Sequence, residues 1–198
     1  MLIAFFTIKL IITIQEMFNN CKTHNSLFEK LTKIMKKNIK IAIGIGGNIG
    51  NVEDNIQKAC NLLKQNGLNN LILSNLIETE PVGCPEGTEN FLNGAITGVW
   101  HDSLENLFEL CKNIEEKLGR PRIHERWVSR TIDLDILLFG DECYDIKTQN
   151  GEQITVPHIE LFNRLFVLEP LADIAGDWLL PQKNISVKKY LEKVLKKS

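Results

Sequence analysis

Two hydrophobic rhythms divide the chain into elements. The short apolar run Ile39–Ile45 predicts a strand that enters a turn at Gly46-Gly47-Asn48-Ile49-Gly50. Asn51 stands where an N-cap is needed for a helix over Val52–Gln65, and Asn66-Gly67 ends that helix. Leu71–Glu78 predicts a second strand. Glu80–Asn90 holds Pro81, Gly83, Pro85 and Gly87, which resist regular structure, so it reads as a loop. Phe91–Trp100 predicts a third strand. Ser103 then caps a second helix, in which Leu104, Leu107, Leu110, Cys111, Ile114 and Leu118 recur at helical spacing. Gly119–Ser129 is an arginine-bearing loop. A run of Ile, Leu and Phe closed by Gly140 follows it and predicts a buried strand carrying Asp133 and Asp135. Asn150-Gly151, between Tyr144-Asp145-Ile146 and Gln153-Ile154-Thr155-Val156, signals a hairpin, and Val187–Leu195 predicts a last helix.

Strand, helix, strand, strand, helix, strand is the order of an α+β fold, a ferredoxin-like βαββαβ sandwich. Its helices are expected on one face of a mostly antiparallel sheet, with a C-terminal hairpin and helix added. The first residues do not share this pattern. Met1–Phe18 is apolar with Lys9 inside it, and Asn19–Lys37 is polar and lysine-rich. A signal peptide fits poorly, since no small-residue cleavage site follows. A membrane span fits worse, because the run is shorter than about 20 residues and carries a charge. Residues 1–34 are therefore read as a dispensable extension with Met35 as the natural start, and 35–198 as a single domain.

Of 198 residues, 43% are hydrophobic and 24% charged, enough apolar material for a core. A net charge of -2 gives no overall attraction to nucleic acid or an anionic membrane. Scattered Cys21, Cys60, Cys84, Cys111 and Cys143 lack metal-ligand spacing and fit reduced thiols in a cytoplasmic protein.

The chemistry concentrates late in the chain. Asp133 and Asp135 lie two apart on a strand, so they share a face and repel each other. Either the upstream arginines or a hard cation such as Mg2+ must compensate. Arg120, Arg122, Arg126 and Arg130 precede them, and guanidinium forks suit phosphate oxygens. Trp127 sits among these arginines, where a nucleotide would meet it. Carboxylate-held metal beside arginine clamps is the usual kit of phosphoryl transfer. Other features are weaker. The glycine turn alone reads as a structural turn, His158 as a structural hydrogen-bonder, and Phe91 and Phe166 as core. His158, Arg164 and Phe166 fall on what reads as one extended face, and Phe91 and Asn93 share a face of the third strand.

Taken together, these segments resemble the 6-hydroxymethyl-7,8-dihydropterin pyrophosphokinase family. The matching pieces are Gly46-Gly47-Asn48-Ile49-Gly50, Thr79-Glu80-Pro81-Val82-Gly83, Phe91-Leu92-Asn93-Gly94-Ala95, Glu115 with Leu118-Gly119-Arg120-Pro121-Arg122, Arg126-Trp127 through Gly140, Val156-Pro157-His158, and Asn163-Arg164-Leu165-Phe166. The resemblance implies transfer of the β,γ-pyrophosphoryl group of ATP to the pterin hydroxymethyl oxygen, releasing AMP. By the same resemblance, Asp133 and Asp135 hold two Mg2+ ions, and Arg120 and Arg130 act on the phosphates. Glu115, Arg122, Trp127, His158 and Arg164 line the ATP site. Phe91 and Phe166 sandwich the pterin, and Thr79, Val82 and Asn93 meet its edge. The Glu80–Asn90 and Gly119–Ser129 loops resemble lids. The implied partners are these two small molecules, with no nucleic acid and no membrane, and the protein is expected to be a cytoplasmic monomer.

Three positions depart from the family pattern: Gly47 replaces a serine, Glu80 a proline, and Ile159 follows His158 where Pro or Tyr is common. Two rivals remain open at this stage. A phosphohydrolase would use the same Asp pair and arginines, and a ferredoxin-like RNA binder would use arginine loops and strand aromatics.

Overall fold

The computed structural model describes residues 38–81, 83, 85–122, 129–148, 150–181 and 183–196. The extension 1–34, Val82 and Trp127 lie outside the described residues. In chain order the elements are β1 (Ile39–Gly47), α1 (Val52–Gln65), β2 (Asn69–Leu73), β3 (Ile77–Thr79), β4 (Phe91–Trp100), α2 (Leu104–Lys117), β5 (Asp133–Phe139), β6 (Tyr144–Lys147), β7 (Gln153–Val156), a single 3-10 turn (Ile159–Phe162), α3 (Leu165–Ala175), β8 (Leu179–Leu180), β9 (Ile185–Ser186) and α4 (Val187–Leu195).

Both predicted caps form: Asn51 accepts from the Asp54 N–H and Ser103 from the Asn106 N–H, each at 3.1 Å. The main sheet runs β2-β4-β1-β5, with β3 also pairing β4, and all of these pairs are antiparallel. β1-α1-β2 and β4-α2-β5 are therefore two interleaved crossovers, which is the ferredoxin-like arrangement the element order predicts. β6 and β7 pair as the predicted hairpin.

Alternation along the strands fills two cores. Ile41, Ile43 and Ile45 of β1, with Leu134 and Ile136 of β5, pack against Ile56 and Leu63 of α1 and Leu107 and Ile114 of α2. On the opposite face, Ala42, Ala95 and Leu137 receive Leu168, Leu171 and Ala175 of α3. Each leucine buried there contributes about 1.5–3 kcal/mol. Helices thus cover both faces, and the expectation of one face is corrected. α3 escapes a periodicity reading because Pro170 lies inside it. A second correction concerns Leu71–Glu78, which is not one strand. It breaks at Ser74–Leu76, where the Asn75 backbone N–H and side-chain amide both donate to Asp173 of α3.

α3 covers only part of its face. Beyond its N-terminus the sheet lies bare at Gly44, Gly46, Asn93, Asp133 and Asp135, and a cavity opens there. Among the described cysteines, Cys60 and Cys111 are buried and Cys143 is exposed, all as free thiols. Among the described residues no helix is long and apolar enough to cross a membrane.

Candidate active site

The floor of the cavity is a strip without side chains. In β1, Gly46 pairs with Asp133 on one side and Asn93 on the other, and Gly44 pairs with Asp135 and Ala95. A Cβ at Gly46 would stand 2.5 Å from Asn93 Oδ1, and one at Gly47 2.7 Å from the Thr131 carbonyl. Gly46 and Gly47 therefore belong to the strand, where close approach requires glycine, and not to the turn predicted for them. The cavity measures about 500 Å3. Thr79, Phe91, Asn93, Arg120, Arg130, Asp133, Asp135, His158, Arg164 and Phe166 all line it, so the structure brings most of the predicted site together.

The two aspartates are not equivalent. Asp133 is paired with Arg120 through one oxygen and with Arg130 through the other. Burial works to raise its pKa, but the two guanidinium charges outweigh burial and hold it below the usual carboxylate range. Asp135 is pushed up, first by burial and then by the neighbouring Asp133 charge. Among the described residues no side chain forms an ion pair or hydrogen bond with Asp135. Among the described residues, the pairing of loop arginines with an aspartate, open from the sequence, thus holds for Asp133 and not for Asp135.

Glu115 and Arg122 were expected at the ATP site. Neither lines the cavity. Glu115 is 4% exposed and lies behind Arg120. Its Oε1 accepts from Arg120 Nη1 at 2.9 Å and from the Leu134 N–H at 2.7 Å. Burial lifts its pKa to about 7 against the pull of Lys112 and Arg120, with Asp133 adding to the rise. Helix α2 turns this residue inward toward β5, so it braces the site from beneath. Arg122 forms a bidentate pair with Glu109 of α2 at 2.8 and 3.0 Å and also pairs with Glu152 after β6. Those two carboxylates hold its fork away from the cavity.

Phe91 and Phe166 belong to neither core, which corrects the reading from pattern alone. Both are half-buried in the cavity wall, and each carries a guanidinium over its ring: Arg130 at 5.2 Å from Phe91, Arg164 at 5.4 Å from Phe166. Asn93 Nδ2 donates to Thr79 Oγ1 at 2.8 Å, which directs Oδ1 toward the Gly46 strip. His158, Arg164 and Phe166 do not share an extended face. His158 precedes the 3-10 turn, Arg164 is the N-cap of α3, and Phe166 stands in its first turn. The curl of the chain brings the three together at the cavity. Glu160, which pairs with Arg164 there, was not anticipated. Neither was Asn48, a buried amide whose Oδ1 accepts from the Arg130 N–H at 2.8 Å. Its Nδ2 donates to the Glu89 carbonyl and to Ser129 Oγ, each at 3.1 Å. Asn48 thereby ties both flanking loops to the end of β1.

The donor set fits a hard divalent cation. Asp133 and Asp135 offer carboxylate oxygens on one face, and among the described residues Asp135 has no ion-pair partner. No group of three or more His, Cys, Asp or Glu residues suited to a metal occurs among the described residues. A cation held here would need further ligands from water and phosphate, which is how Mg2+ is commonly bound. Two buried guanidine nitrogens, Arg120 Nε and Arg130 Nε, have no hydrogen-bond partner among the described residues, leaving donor capacity beside the carboxylates.

Comparison with known proteins identifies the family of the chain. The family model for 7,8-dihydro-6-hydroxymethylpterin-pyrophosphokinase (HPPK) matches residues 42–176. The 2-amino-4-hydroxy-6-hydroxymethyldihydropteridine pyrophosphokinase of Bacillus subtilis is 44% identical over 67% of this chain and 75% of its own. Its Synechocystis counterpart is 35% identical over 77% of this chain and 74% of its own. A crystal structure of wild-type Plasmodium falciparum HPPK-DHPS superposes with a TM-score of 0.64 at 15% identity, covering 81% of this chain. The match spans 45% of that longer chain, and it supports the fold alone. With the family model matched across the whole site, the chain belongs to the 7,8-dihydro-6-hydroxymethylpterin-pyrophosphokinase family.

Proposed function

We propose that the cavity over the Gly44–Gly46 strip is where the family's reaction takes place, with Asp133 and Asp135 as its metal-holding pair. The reaction transfers pyrophosphate from ATP to the hydroxymethyl group of 6-hydroxymethyl-7,8-dihydropterin and releases AMP, a diphosphokinase step of folate biosynthesis. One observation carries the site assignment. The carboxylate pair and two arginines line the same cavity as Phe91, Asn93 and Phe166.

Asp133 and Asp135 would hold two Mg2+ ions, which would supply charge neutralisation for the triphosphate. Arg120 and Arg130 grip the phosphates and hold negative charge as it shifts toward the AMP leaving group. Both arginines begin on Asp133, so an incoming polyphosphate exchanges one anionic partner for another at little desolvation cost. Arg164 and His158 meet the nucleotide from the N-terminal end of α3. Phe91 and Phe166 stack on the pterin, and Arg130 and Arg164 yield their places over the rings. Asn93 Oδ1, oriented by Thr79, accepts from the N–H groups of the pterin edge. Glu115 and Arg122 serve from outside the cavity, as braces for Arg120 and for the arginine loop. By the family resemblance, Val82 is assigned to the pterin and Trp127 to the nucleotide. The protein acts on these two small molecules as a cytoplasmic monomer, with residues 35–198 as the working domain.

The test is incubation of the protein with ATP, Mg2+ and the hydroxymethyl dihydropterin. AMP and pterin diphosphate are expected in equal amounts. ADP as the nucleotide product, or turnover of ATP without pterin as a phosphohydrolase would give, contradicts the proposal.

A further inference from the structure

Lys112 is a charged residue that the reaction as described does not use. It lies on α2, outside the cavity lining, with its side chain only 18% exposed. Its Nζ donates to Glu115 Oε2 at 2.8 Å and stands 5.5 Å from the Phe108 ring centre, which holds the aliphatic stem in place. The other oxygen of Glu115 has two further partners, Arg120 Nη1 and the Leu134 N–H. Leu134 is the residue between the two aspartates, and the same Arg120 nitrogen continues to Asp133. Lys112 is thus the outermost link of a chain of contacts that ends on the metal-holding strand.

We infer that Lys112 is a positioning residue for pyrophosphate transfer: by engaging one oxygen of Glu115, it fixes the other beneath Arg120 and Leu134. The inference rests on the roles proposed above for Arg120, Asp133 and Asp135. The physical reason is the burial of Glu115. Both oxygens of a buried carboxylate need partners. Among the described residues Lys112 is the only partner of Oε2. Without it the carboxylate turns to find another donor, and its two bonds to Arg120 and to the strand loosen together. An exposed lysine–glutamate pair three residues apart on a helix would do no more than add slight helix stability. This pair is mostly enclosed, and the carboxylate it engages has its other contacts on residues of the site.

The test uses Lys112→Met and Lys112→Arg in the full chain, each alone and with Glu115→Gln. Steady-state constants for both substrates and thermal midpoints are measured. Lys112→Met is expected to lower kcat by about tenfold or more, as loss of an orienting partner commonly does. The pterin KM stays near the parent value, and Lys112→Arg restores most of the rate. In the Glu115→Gln background, Lys112→Met adds less than about twofold, because the contact through which it acts is already altered. The inference is overturned if Lys112→Met keeps the parent kcat while only its thermal midpoint falls. It is equally overturned if the loss is as large in the Glu115→Gln background. Should the methionine variant fail to fold, Lys112→Ala, which also removes the donor, is held to the same limits. A parent chain that produces no AMP overturns the reading of the site and this inference with it, whereas an active parent with an indifferent Lys112 overturns the inference alone.

Discussion

Gly46 and Asp133 face each other across the antiparallel pair β1–β5, and Asn93 occupies the same rung from the β4 side. The glycine brings the proposed metal-holding carboxylate and the proposed pterin-reading amide to adjoining positions with no side chain between them. Gly46→Ala places a carbon 2.5 Å from Asn93 Oδ1 and 3.0 Å from the Leu92 carbonyl. Asn93 must move, which raises the pterin KM and costs about 1–3 kcal/mol of stability. Pterin titrations and urea unfolding check both; an unchanged KM would remove Asn93 from the pterin edge.

Asp133→Asn and Asp135→Asn both nearly abolish transfer, but they shift stability in opposite directions in EDTA. Losing the Asp133 charge strands Arg120 and Arg130, at a cost of about 1–3 kcal/mol. Losing the Asp135 charge relieves a buried anion whose nearest like charge is Asp133, so stability holds or rises. The pH dependence follows the same signs. The lowered pKa of Asp133 contributes stability that is present above the ordinary carboxylate value and lost as pH falls through the folded value. The raised pKa of Asp135 does the reverse: its contribution is present at low pH and lost as pH rises through the folded value. Thermal unfolding of parent and variants from about pH 2 to about pH 8 (about one unit per step) separates the two. Near-normal transfer in both variants would remove the pair from the reaction.

Arg120→Ala is expected to lower kcat by about 10³ or more, the scale of a phosphate-clamping arginine. It also frees Asp133 and Glu115 from their shared partner, so Arg120→Lys, which keeps charge but loses the fork, recovers only part of the rate. Single-turnover rates check the series, and an unchanged rate for Arg120→Ala contradicts the assignment.

Asn48→Ala removes three hydrogen bonds that tie the Glu89 and Ser129–Arg130 segments to the end of β1. At about 1 kcal/mol each, stability falls by about 2–4 kcal/mol. Since Arg130 is tethered here, kcat falls as well. Calorimetry and transfer assays on the variant test this, and a loss of stability with full activity would limit Asn48 to a structural role.

Much of the fold is written locally in the sequence. Asn51 and Ser103 announce their helices because capping depends on a few neighbouring atoms, and the strands β1, β4 and β5 show in their apolar runs. What escaped depends on distant partners. Asn75 leaves the sheet because Asp173 captures it, and α3 packs on the second face despite Pro170. Gly46 and Gly47 read as a turn, although their need for glycine comes from Asn93 and Thr131. At the site, Asp133, Asp135, Arg120 and Arg130 were readable because their chemistry is scarce on a buried strand and its preceding loop. The burial of Glu115 was not, because its partners lie on Arg120 and Leu134. The spacing of Lys112 and Glu115, three apart on one helix, was the available signal for that pair.

The central claim is that one triphosphate lies across the Asp133–Asp135 pair and the arginines, and is attacked at its β-phosphorus. The most direct measurement is a single turnover with ATP labelled separately at the β and γ phosphates, followed by separation of nucleotide from pterin. Both labels are expected in the pterin product, with unlabelled AMP released in equal amount. Only the γ label on the pterin, with the β label retained in ADP, would contradict the account.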